Sequence, residues 1–290
     1  MPAGISLGSW AELPATAACD PPPFPATTKF SGGIIFQLCL LASGSSGNCT
    51  WLATGKTRLL VDAGLSVRET LRRLAEIAQP PERIDGILVT HEHSDHVSGL
   101  PRLARRLGVP VFATERTAAS VDWGEAAPRL EIFQAGARLA IGDIDVDTFS
   151  IPHDAADPVG FCFRSQGIKI GLVTDLGYVP DSVRYQLRGT TALVLESNHD
   201  LEMLKVGPYP WPVKQRVMSR VGHLSNEMAC EFVLTDLDSG TATLILAHLS
   251  EHNNHPEIVR MFAGDALARR GVSPRLVVAE QRRPTEIFVF

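Results

Sequence analysis

The sequence predicts an α/β protein with strands and helices in both halves of the chain. Three observations indicate this class. Of the 290 residues, 44% are hydrophobic and 20% are charged, which is typical of a globular chain rather than a disordered or fibrous one. Short apolar strand patterns alternate with helical patterns in the first half. Strand patterns then become frequent in the second half, where we expect antiparallel pairing to dominate.

The first half begins with an apolar run at 59–62 that ends in Asp62, which predicts a buried strand. Ser66 and Glu69 form a capping box that predicts the start of a helix, and two consecutive prolines at 80–81 end it. The next predicted elements are a buried strand at 86–90, a helix at 96–107 and a strand at 110–113. This alternation of strand and helix is typical of α/β domains.

The second half opens with a strand pattern at 139–151 and a hairpin of 160–164 with 168–174, whose turn lies at Gln166 and Gly167. The elements that follow are a strand at 192–195, helices at 212–221 and 225–234, a strand at 242–247, a helix at 256–269 and strands at 275–279 and 286–290. We expect one folded domain at 33–290, preceded by a poorly ordered, proline-containing extension at 1–32.

Charge and cysteine content limit the class of protein. The 27 basic and 32 acidic residues give a net charge of −5, so any contact with nucleic acid must come from a local basic patch. The five cysteines form no C-x-x-C pair, which argues against a disulfide framework and predicts a reducing, cytoplasmic location. The longest strongly apolar run, 33–42, is far shorter than the roughly 20 residues of a membrane-spanning helix, and the N-terminus has no signal-peptide pattern. We therefore expect no membrane partner.

The segment Thr90-His91-Glu92-His93-Ser94-Asp95-His96 follows the predicted strand at 86–90 directly. On a loop that leaves a strand, His91 and His93 project to one side, whereas Asp95 and His96 lie on the turn into the next helix and reach a second point nearby. This spacing suits two metal ions. The alternative is a polar loop in which His93 or Asp95 serves only as a helix cap.

The pattern H-x-H-x-D-H after a strand, with an earlier strand ending in Asp62, resembles the metallo-β-lactamase-fold hydrolases from about Phe36 onward. The resemblance implies a four-layer αβ/βα sandwich with a dinuclear metal site at one edge of two facing sheets. It also implies three later ligands, His153, Asp175 and His248, each of which taken singly could be a turn, cap or core residue. By this resemblance the ligands of one ion are His91, His93 and His153, those of the other are Asp95, His96 and His248, and Asp175 bridges both. Asp62 would orient the ligand loop through hydrogen bonds.

Further segments resemble the YycJ/WalJ group of bacterial metallo-hydrolases: LLASGSSGNCT at 40–50, VTDLG at 173–177, LESNHD at 195–200, GHLSN at 222–226 and AHLS at 247–250. Members of that group are regarded as manganese-dependent exonucleases that degrade duplex DNA from the 5′ end, with a proposed place in DNA mismatch repair. The resemblance therefore implies a metal-dependent phosphodiester hydrolase that acts as a 5′-to-3′ DNA exonuclease. Two metal ions would activate a hydroxide and hold the phosphate oxygens, so no protein nucleophile is required.

Candidate catalytic residues are His223, Asp95 and Asp175. His223, close to a predicted helix start at Ser225, is the candidate proton donor or phosphate contact, whereas Ser225 is expected to be only the helix cap. Candidate substrate contacts are Ser43, Asn48, Asn198, Lys214 and Arg216. The last two would form a basic and aromatic surface together with Lys205, Trp211 and Arg220, although a solvated helix face is an equal alternative.

A set of metal ligands does not by itself name the substrate. Alternatives on the same fold are a phosphodiesterase for small cyclic or nucleotide diesters and a thioester or lactone hydrolase. An alternative of another class is a nucleic-acid-binding module with a structural metal site, which full ligand occupancy without an open position would favour. Histidine and aspartate ligands accommodate two divalent ions of manganese, zinc or iron. Duplex DNA or another phosphodiester is the expected partner.

Overall fold

Fourteen strands form two sheets in the part of the chain that the computed structural model describes, residues 36–290. In chain order they are β1 (Gln37–Ala42), β2 (Cys49–Ala53), β3 (Arg58–Val61), β4 (Gly86–Leu88), β5 (Val111–Thr114), β6 (Leu130–Phe133), β7 (Arg138–Ile141), β8 (Ile144–Ser150), β9 (Val159–Ser165), β10 (Ile168–Val173), β11 (Ala192–Glu196), β12 (Thr243–Ala247), β13 (Arg275–Val278) and β14 (Phe288–Val289). The predicted extension at 1–32 lies outside the described residues, so that domain boundary stays a prediction.

Each sheet is half parallel and half antiparallel. The first has the order β14-β1-β2-β3-β4-β5-β6, with parallel pairing from β3 to β6, and the second has the order β13-β12-β11-β10-β9-β8-β7, with parallel pairing from β10 to β13. The hairpin of β9 and β10 is confirmed. The expected antiparallel pairing is confirmed from β7 to β10. It does not extend to the rest of the second half, because helices lie between β10, β11, β12 and β13 in the chain and connect them as parallel crossovers.

Nine α-helices connect the strands within residues 36–290: α1 (Val67–Glu76), α2 (Ser94–Val97), α3 (Leu100–Leu107), α4 (Glu115–Ser120), α5 (Asp181–Leu187), α6 (Leu201–Val206), α7 (Trp211–Val217), α8 (Asn226–Thr235) and α9 (Pro256–Arg270). Ser66 and Ser225 cap α1 and α8 as predicted. The predicted helix at 96–107 is divided into α2 and α3, because the Gly99 amide donates to the Ala63 carbonyl, 2.9 Å away, rather than within the helix. The sequence patterns missed β1, β2 and β6 and the short helices α4, α5 and α6.

Three buried hydrophobic clusters establish the order of the layers. The central cluster joins the two sheets and contains Leu38 and Val61 of the first with Phe161 and Val194 of the second. Another cluster joins the first sheet to α1 and α3, and a third joins the second sheet to α5, α8 and α9. The predicted four-layer sandwich, with the sheets inside and helices outside, is confirmed.

The thiols of the described residues are packed into this interior. Cys39, Cys49, Cys162 and Cys230 are buried and free, and burial raises the pKa of the Cys162 thiol to about 11. Such thiols remain protonated and behave as small hydrophobic side chains. Between residues 36 and 290, every helix is too short or too polar to cross a bilayer.

Candidate metal centre

Polar residues follow five parallel strands at the edge where the carboxyl ends of these strands meet. Asp62 comes after β3, the histidine-rich segment after β4, Asp175 shortly after β10 and His248 directly after β12, while Glu196 is the last residue of β11. Because parallel strands present their carboxyl ends at the same edge of a sheet, these side chains converge although up to 186 residues separate them (248 − 62). The edge therefore forms a polar cluster against an apolar interior.

Three of these residues adopt a backbone conformation that is costly for any residue except glycine. The φ angles of Asp62, Asp175 and His248 are 60°, 62° and 56°. Hydrogen bonds hold two of these backbones in place: the His248 amide donates to the Ser43 hydroxyl at 2.7 Å, and the Asp62 amide donates to the Leu88 carbonyl at 2.8 Å. Unusual backbone geometry of this kind clusters at functional sites.

The first donor group consists of His91, His93 and His153, whose ligand atoms lie within 4.8 Å of one another. Nδ1 of His93 and Nε2 of His153 are 3.2 Å apart. Nε2 of His91 is buried and has no hydrogen-bond partner in the described chain. His93 occupies the N-cap position of α2, but its side chain makes no capping hydrogen bond. These nitrogens face a common point, as ligands of one cation would.

The second donor group consists of Asp95, His96 and His248. Oδ2 of Asp95 lies 3.3 Å from Nε2 of His96 and 3.3 Å from Nε2 of His248. Asp175 lies between the two groups, with Oδ2 3.4 Å from His96 and Oδ1 3.9 Å from His153. Oδ2 of Asp175 is buried and accepts no hydrogen bond from the described residues. A carboxylate in this position can bridge two ions.

In four of the site histidines, the ring nitrogen Nδ1 has a partner that fixes the orientation of the ring. Nδ1 of each ring meets an oxygen at 2.8–3.1 Å, and the pairs are His91 with the Thr90 hydroxyl, His96 with Asp62, His153 with the Gly222 carbonyl and His248 with Glu196. Asp62 also accepts hydrogen bonds from the amide and the hydroxyl of Thr90. Metal-ligating histidines typically have such partners on the nitrogen that does not bind the metal.

Glu196 is a functional residue that the sequence analysis missed. Its side chain is fully buried, with Oε1 2.9 Å from Nδ1 of His223 and 2.8 Å from Nδ1 of His248, while Oε2 accepts the amides of Leu176 and Leu224, each at 3.0 Å. Glu196 lies near enough to Asp175, His223 and His248 to form a further ligand set, but both of its oxygens are already engaged. A carboxylate at the end of a buried strand, as in Asp62, was the signal that could have identified it.

Burial and the neighbouring carboxylates shift the pKa values of the site histidines in opposite directions. Burial would keep His96 and His248 neutral, but the charge of Asp175 and hydrogen bonds with neighbouring carboxylates raise their pKa values, that of His248 to about 10. Burial lowers the pKa of His91, and the neighbouring histidines lower it further. Burial would raise the pKa of Asp95, yet hydrogen bonds with His248 and His96 lower it. Asp95 therefore remains charged and favours cations at this position.

The residues present fit two divalent ions. Nitrogen and carboxylate donors without thiolate suit manganese, zinc or iron. The buried, unpartnered atoms His91 Nε2 and Asp175 Oδ2 would each be costly in an apolar interior without a cation to bind. His91, His93 and His153 would hold one ion, Asp95, His96 and His248 the other, and Asp175 both.

A cavity of about 340 Å³ opens directly onto these donors. It is lined by Ser45, His93, Ser94, Asp95, Asp154, Asp175, Val213, Arg216, Val217, Gly222, His223 and His248. The side chains of Asp95 and His223 are each 22% exposed and His93 is half-buried, whereas the other members of the cluster are almost completely buried. A bound molecule would therefore meet His93, Asp95 and His223 first.

Three of the predicted substrate contacts have a different position. Ser43, Asn48 and Asn198 are buried and support the ligands: Ser43 accepts the His248 amide, Asn48 donates to Oδ2 of Asp95 at 3.1 Å, and Asn198 donates to the His248 carbonyl at 2.8 Å. Because their polar atoms are used inside the protein, they are not exposed to a substrate. Ser45, which lies between Ser43 and Asn48 in the sequence, does line the cavity.

The predicted basic surface on α7 is not formed as expected. Lys214 is buried, and its ammonium group donates to the Lys205 carbonyl at 2.7 Å. The helix also ends at Val217 rather than at 221, because the chain turns back so that the His223 amide donates to the Val217 carbonyl. Arg216 does line the cavity, and its guanidinium is paired with Asp154.

Comparison with known proteins agrees with this arrangement. The family described as "Beta-lactamase superfamily domain" matches residues 57–249. The chain is 41% identical over 235 residues to "Exodeoxyribonuclease YycJ" of Bacillus anthracis, with 80% of this chain and 89% of the relative covered. The chain belongs to the beta-lactamase superfamily, in its YycJ/WalJ group.

A second curated relative and a solved structure are also similar to this chain. "Exodeoxyribonuclease WalJ" of Streptococcus pneumoniae serotype 2 is 40% identical over 239 residues, with 81% of this chain and 89% of the relative covered. The crystal structure of the metallo-beta-lactamase fold protein YhfI from Bacillus subtilis superposes with a TM-score of 0.68 at 17% identity and covers 89% of this chain and 100% of that one. This structural likeness supports the fold, while the identity to the curated relatives supports the group.

Proposed function

We propose that this protein is a metal-dependent phosphodiester hydrolase that degrades DNA as a 5′-to-3′ exonuclease in the cytoplasm. The observation that carries the proposal is that Asp175 lies between two donor groups and that His93, Asp95 and His223 line one cavity. A structural metal site would be closed on all sides. The relatives at about 40% identity, which are named exodeoxyribonucleases, support DNA as the substrate.

The chain's own residues have separable tasks in this reaction. Two divalent ions, manganese or zinc, would lower the pKa of a water molecule and stabilise charge on the phosphate. Asp62 and Glu196 orient the ligand histidines through their Nδ1 atoms. Asp95 supplies negative charge beside His248, and Asp175 supplies it beside His96.

His223 is suited to hold a proton at the cavity. Its Nδ1 is hydrogen-bonded to Glu196, which fixes the ring orientation. The other ring nitrogen, Nε2, is therefore the one that can interact with a molecule in the cavity. We assign Nε2 the role of donating a proton to the leaving oxygen or contacting a phosphate oxygen. Arg216 at the same cavity is paired with Asp154 through Nε, which leaves its other N–H groups to contact a phosphate oxygen.

Degradation of a 5′-labelled linear duplex by the purified, manganese-loaded protein tests the proposal, with Asp95→Ala as the control for contaminating nucleases. We expect short labelled products from the wild type alone. A duplex labelled at the 3′ end and a small ester, bis(p-nitrophenyl) phosphate, extend the panel. Intact DNA in both labelled duplexes, with bound metal confirmed, would refute the exonuclease function, and ester hydrolysis in that sample would favour a small phosphodiester substrate.

A further inference from the structure

Positive charge near the cavity is distributed differently from the sequence-based expectation. On the α6–α7 side, Lys205 is paired with Glu202 at 2.7 Å, Arg216 is paired with Asp154, and Lys214 is buried. These groups are largely neutralised within the protein. Because the net charge of the chain is −5, a polyanion needs unpaired cations elsewhere near the site.

A second cavity adjoins the one at the metal centre. It has a volume of about 480 Å³, and Ser94 lines both this cavity and the one at the metal centre. We call it the α3 groove. Its other lining residues are Glu92, Val97, Ser98, Pro101, Arg102, Arg105, Ser120, Val121, Asp122, Trp123 and Gly124. Ser94 therefore connects the α3 groove to the cavity at the metal centre.

Hydroxyl and guanidinium groups recur along one wall of the α3 groove. Ser94, Ser98, Arg102 and Arg105 lie three or four residues apart on α2, α3 and the turn between them. Arg102 and Arg105 lie one turn apart on α3, and Gly99 interrupts the helix between them and Ser98. The wall offers hydroxyl and guanidinium donors to an anionic strand.

The two arginines of this wall have different environments. Arg102 is exposed, and within residues 36–290 its side chain has no hydrogen-bond or ion-pair partner. Arg105 donates to the carbonyls of Trp123 and Ala126, at 2.7 and 2.9 Å, and therefore fixes the facing wall while it keeps its charge. The indole nitrogen of Trp123 donates to the Ala118 carbonyl at 2.8 Å, so the ring itself is also held in place.

The acidic residues of the groove are partly satisfied by backbone amides. Oε1 of Glu92 accepts the amide of Ala156 at 2.7 Å, and Oδ1 of Asp122 accepts the amide of Gly124 at 3.0 Å. Neither forms an ion pair with a groove arginine in the described chain. The groove therefore contains both an unpaired cation, Arg102, and a fixed aromatic ring, Trp123, and proteins that bind single-stranded nucleic acid use this combination.

We propose that the α3 groove binds the sugar-phosphate backbone of the DNA strand that continues away from the scissile phosphate, with Arg102 contacting a phosphate. This inference rests on the proposed exonuclease function and extends it to a binding path for the substrate. The hydroxyl groups of Ser94 and Ser98 contact the phosphates nearest to the metal centre. Trp123 supports a base or sugar from the facing wall.

Arg102→Gln, compared with Arg106→Gln, tests this inference. Arg106 lies on the same exposed helix, has no side-chain partner in the described chain and is not among the groove residues, so it is a matched control. We measure KM for DNA, the salt dependence of binding and the ratio of DNA hydrolysis to hydrolysis of bis(p-nitrophenyl) phosphate, which is too short to reach the groove. For Arg102→Gln, we expect KM to rise about tenfold. Loss of one phosphate contact should also reduce the slope of log K against log salt by about 0.7.

The outcomes separate this inference from the proposed function. A rise in KM and a smaller salt slope for Arg102→Gln, with values close to wild type for Arg106→Gln, support the α3 groove as the binding path. If the wild type degrades DNA but the two variants behave alike, the groove inference is wrong and the exonuclease function stands. If the wild type degrades no DNA, both are overturned.

Discussion

Replacing Glu196 with glutamine tests whether this buried carboxylate positions the two cavity histidines. Glutamine offers one acceptor oxygen and one donor group where glutamate offers two acceptor oxygens. Two of the four hydrogen bonds, which come from His223, His248, Leu176 and Leu224, are therefore lost in either orientation. If the oxygen remains on the backbone amides, the NH₂ group faces Nδ1 of His248 and favours the tautomer protonated at Nε2, the nitrogen that faces Asp95.

The expected magnitude follows from these contacts. Hydrogen bonds to a charged group contribute about 1.5–3 kcal/mol each, so the loss of two sets an upper limit of roughly 3–6 kcal/mol. Residues that orient metal-bound histidines typically contribute about 10- to 100-fold to metal affinity or activity, or roughly 1.4–2.8 kcal/mol. We expect Glu196→Gln to weaken binding of one ion and to lower kcat, each by about 10- to 100-fold.

Calorimetric titration with manganese and the rate of DNA hydrolysis measure the two effects separately. Glu202→Gln is the matched control, because the Glu202 side chain is 79% exposed and lies away from the histidines. Circular dichroism reports whether either variant loses its fold. Metal affinity and rate for Glu196→Gln equal to those of Glu202→Gln would refute the positioning role.

Three further predictions follow from the site and its surroundings. His223→Ala should retain both ions but lower kcat about 10²- to 10⁴-fold, and an unchanged rate would remove its assignment as proton donor. Because the pKa of His248 is raised from 6.5 to about 10, its contribution to stability is present below about pH 6.5 and lost as the pH rises through about 10. The Tm of chelator-treated protein should therefore fall across this interval, and a constant Tm would contradict the pKa shift. Lys214→Ala should lower the free energy of unfolding in urea by about 1–3 kcal/mol and leave KM for DNA unchanged, whereas the reverse result would restore Lys214 as a substrate contact.

The sequence pattern alone indicated the contiguous part of the site, where the segment from His91 to His96 shows its donors at fixed spacing. His153, Asp175 and His248 were expected only through the resemblance to the metallo-β-lactamase-fold hydrolases, since each taken singly could be a turn, cap or core residue. The structure brings these donors together at one edge of the sheets. Their role as metal ligands stays a prediction until an ion is measured.

Supporting residues other than Asp62 could not be predicted, because their partners are distant in sequence. Ser43 meets the His248 amide across 205 positions, and Asn198 meets the His248 carbonyl across 50. Local pattern alone makes such residues look like turn residues or substrate contacts. Lys214 was misplaced for a related reason, since helix periodicity does not show that the preceding loop covers its ammonium group.

Titration of metal-free protein with manganese, with the DNA hydrolysis rate followed at each addition, tests the central claim most directly. We expect the rate to rise until two ions are bound per chain and then to remain constant, and Asp95→Ala to bind fewer ions and stay inactive. Full activity with one bound ion would contradict a dinuclear site. Two bound ions without hydrolysis of DNA would contradict the exonuclease function.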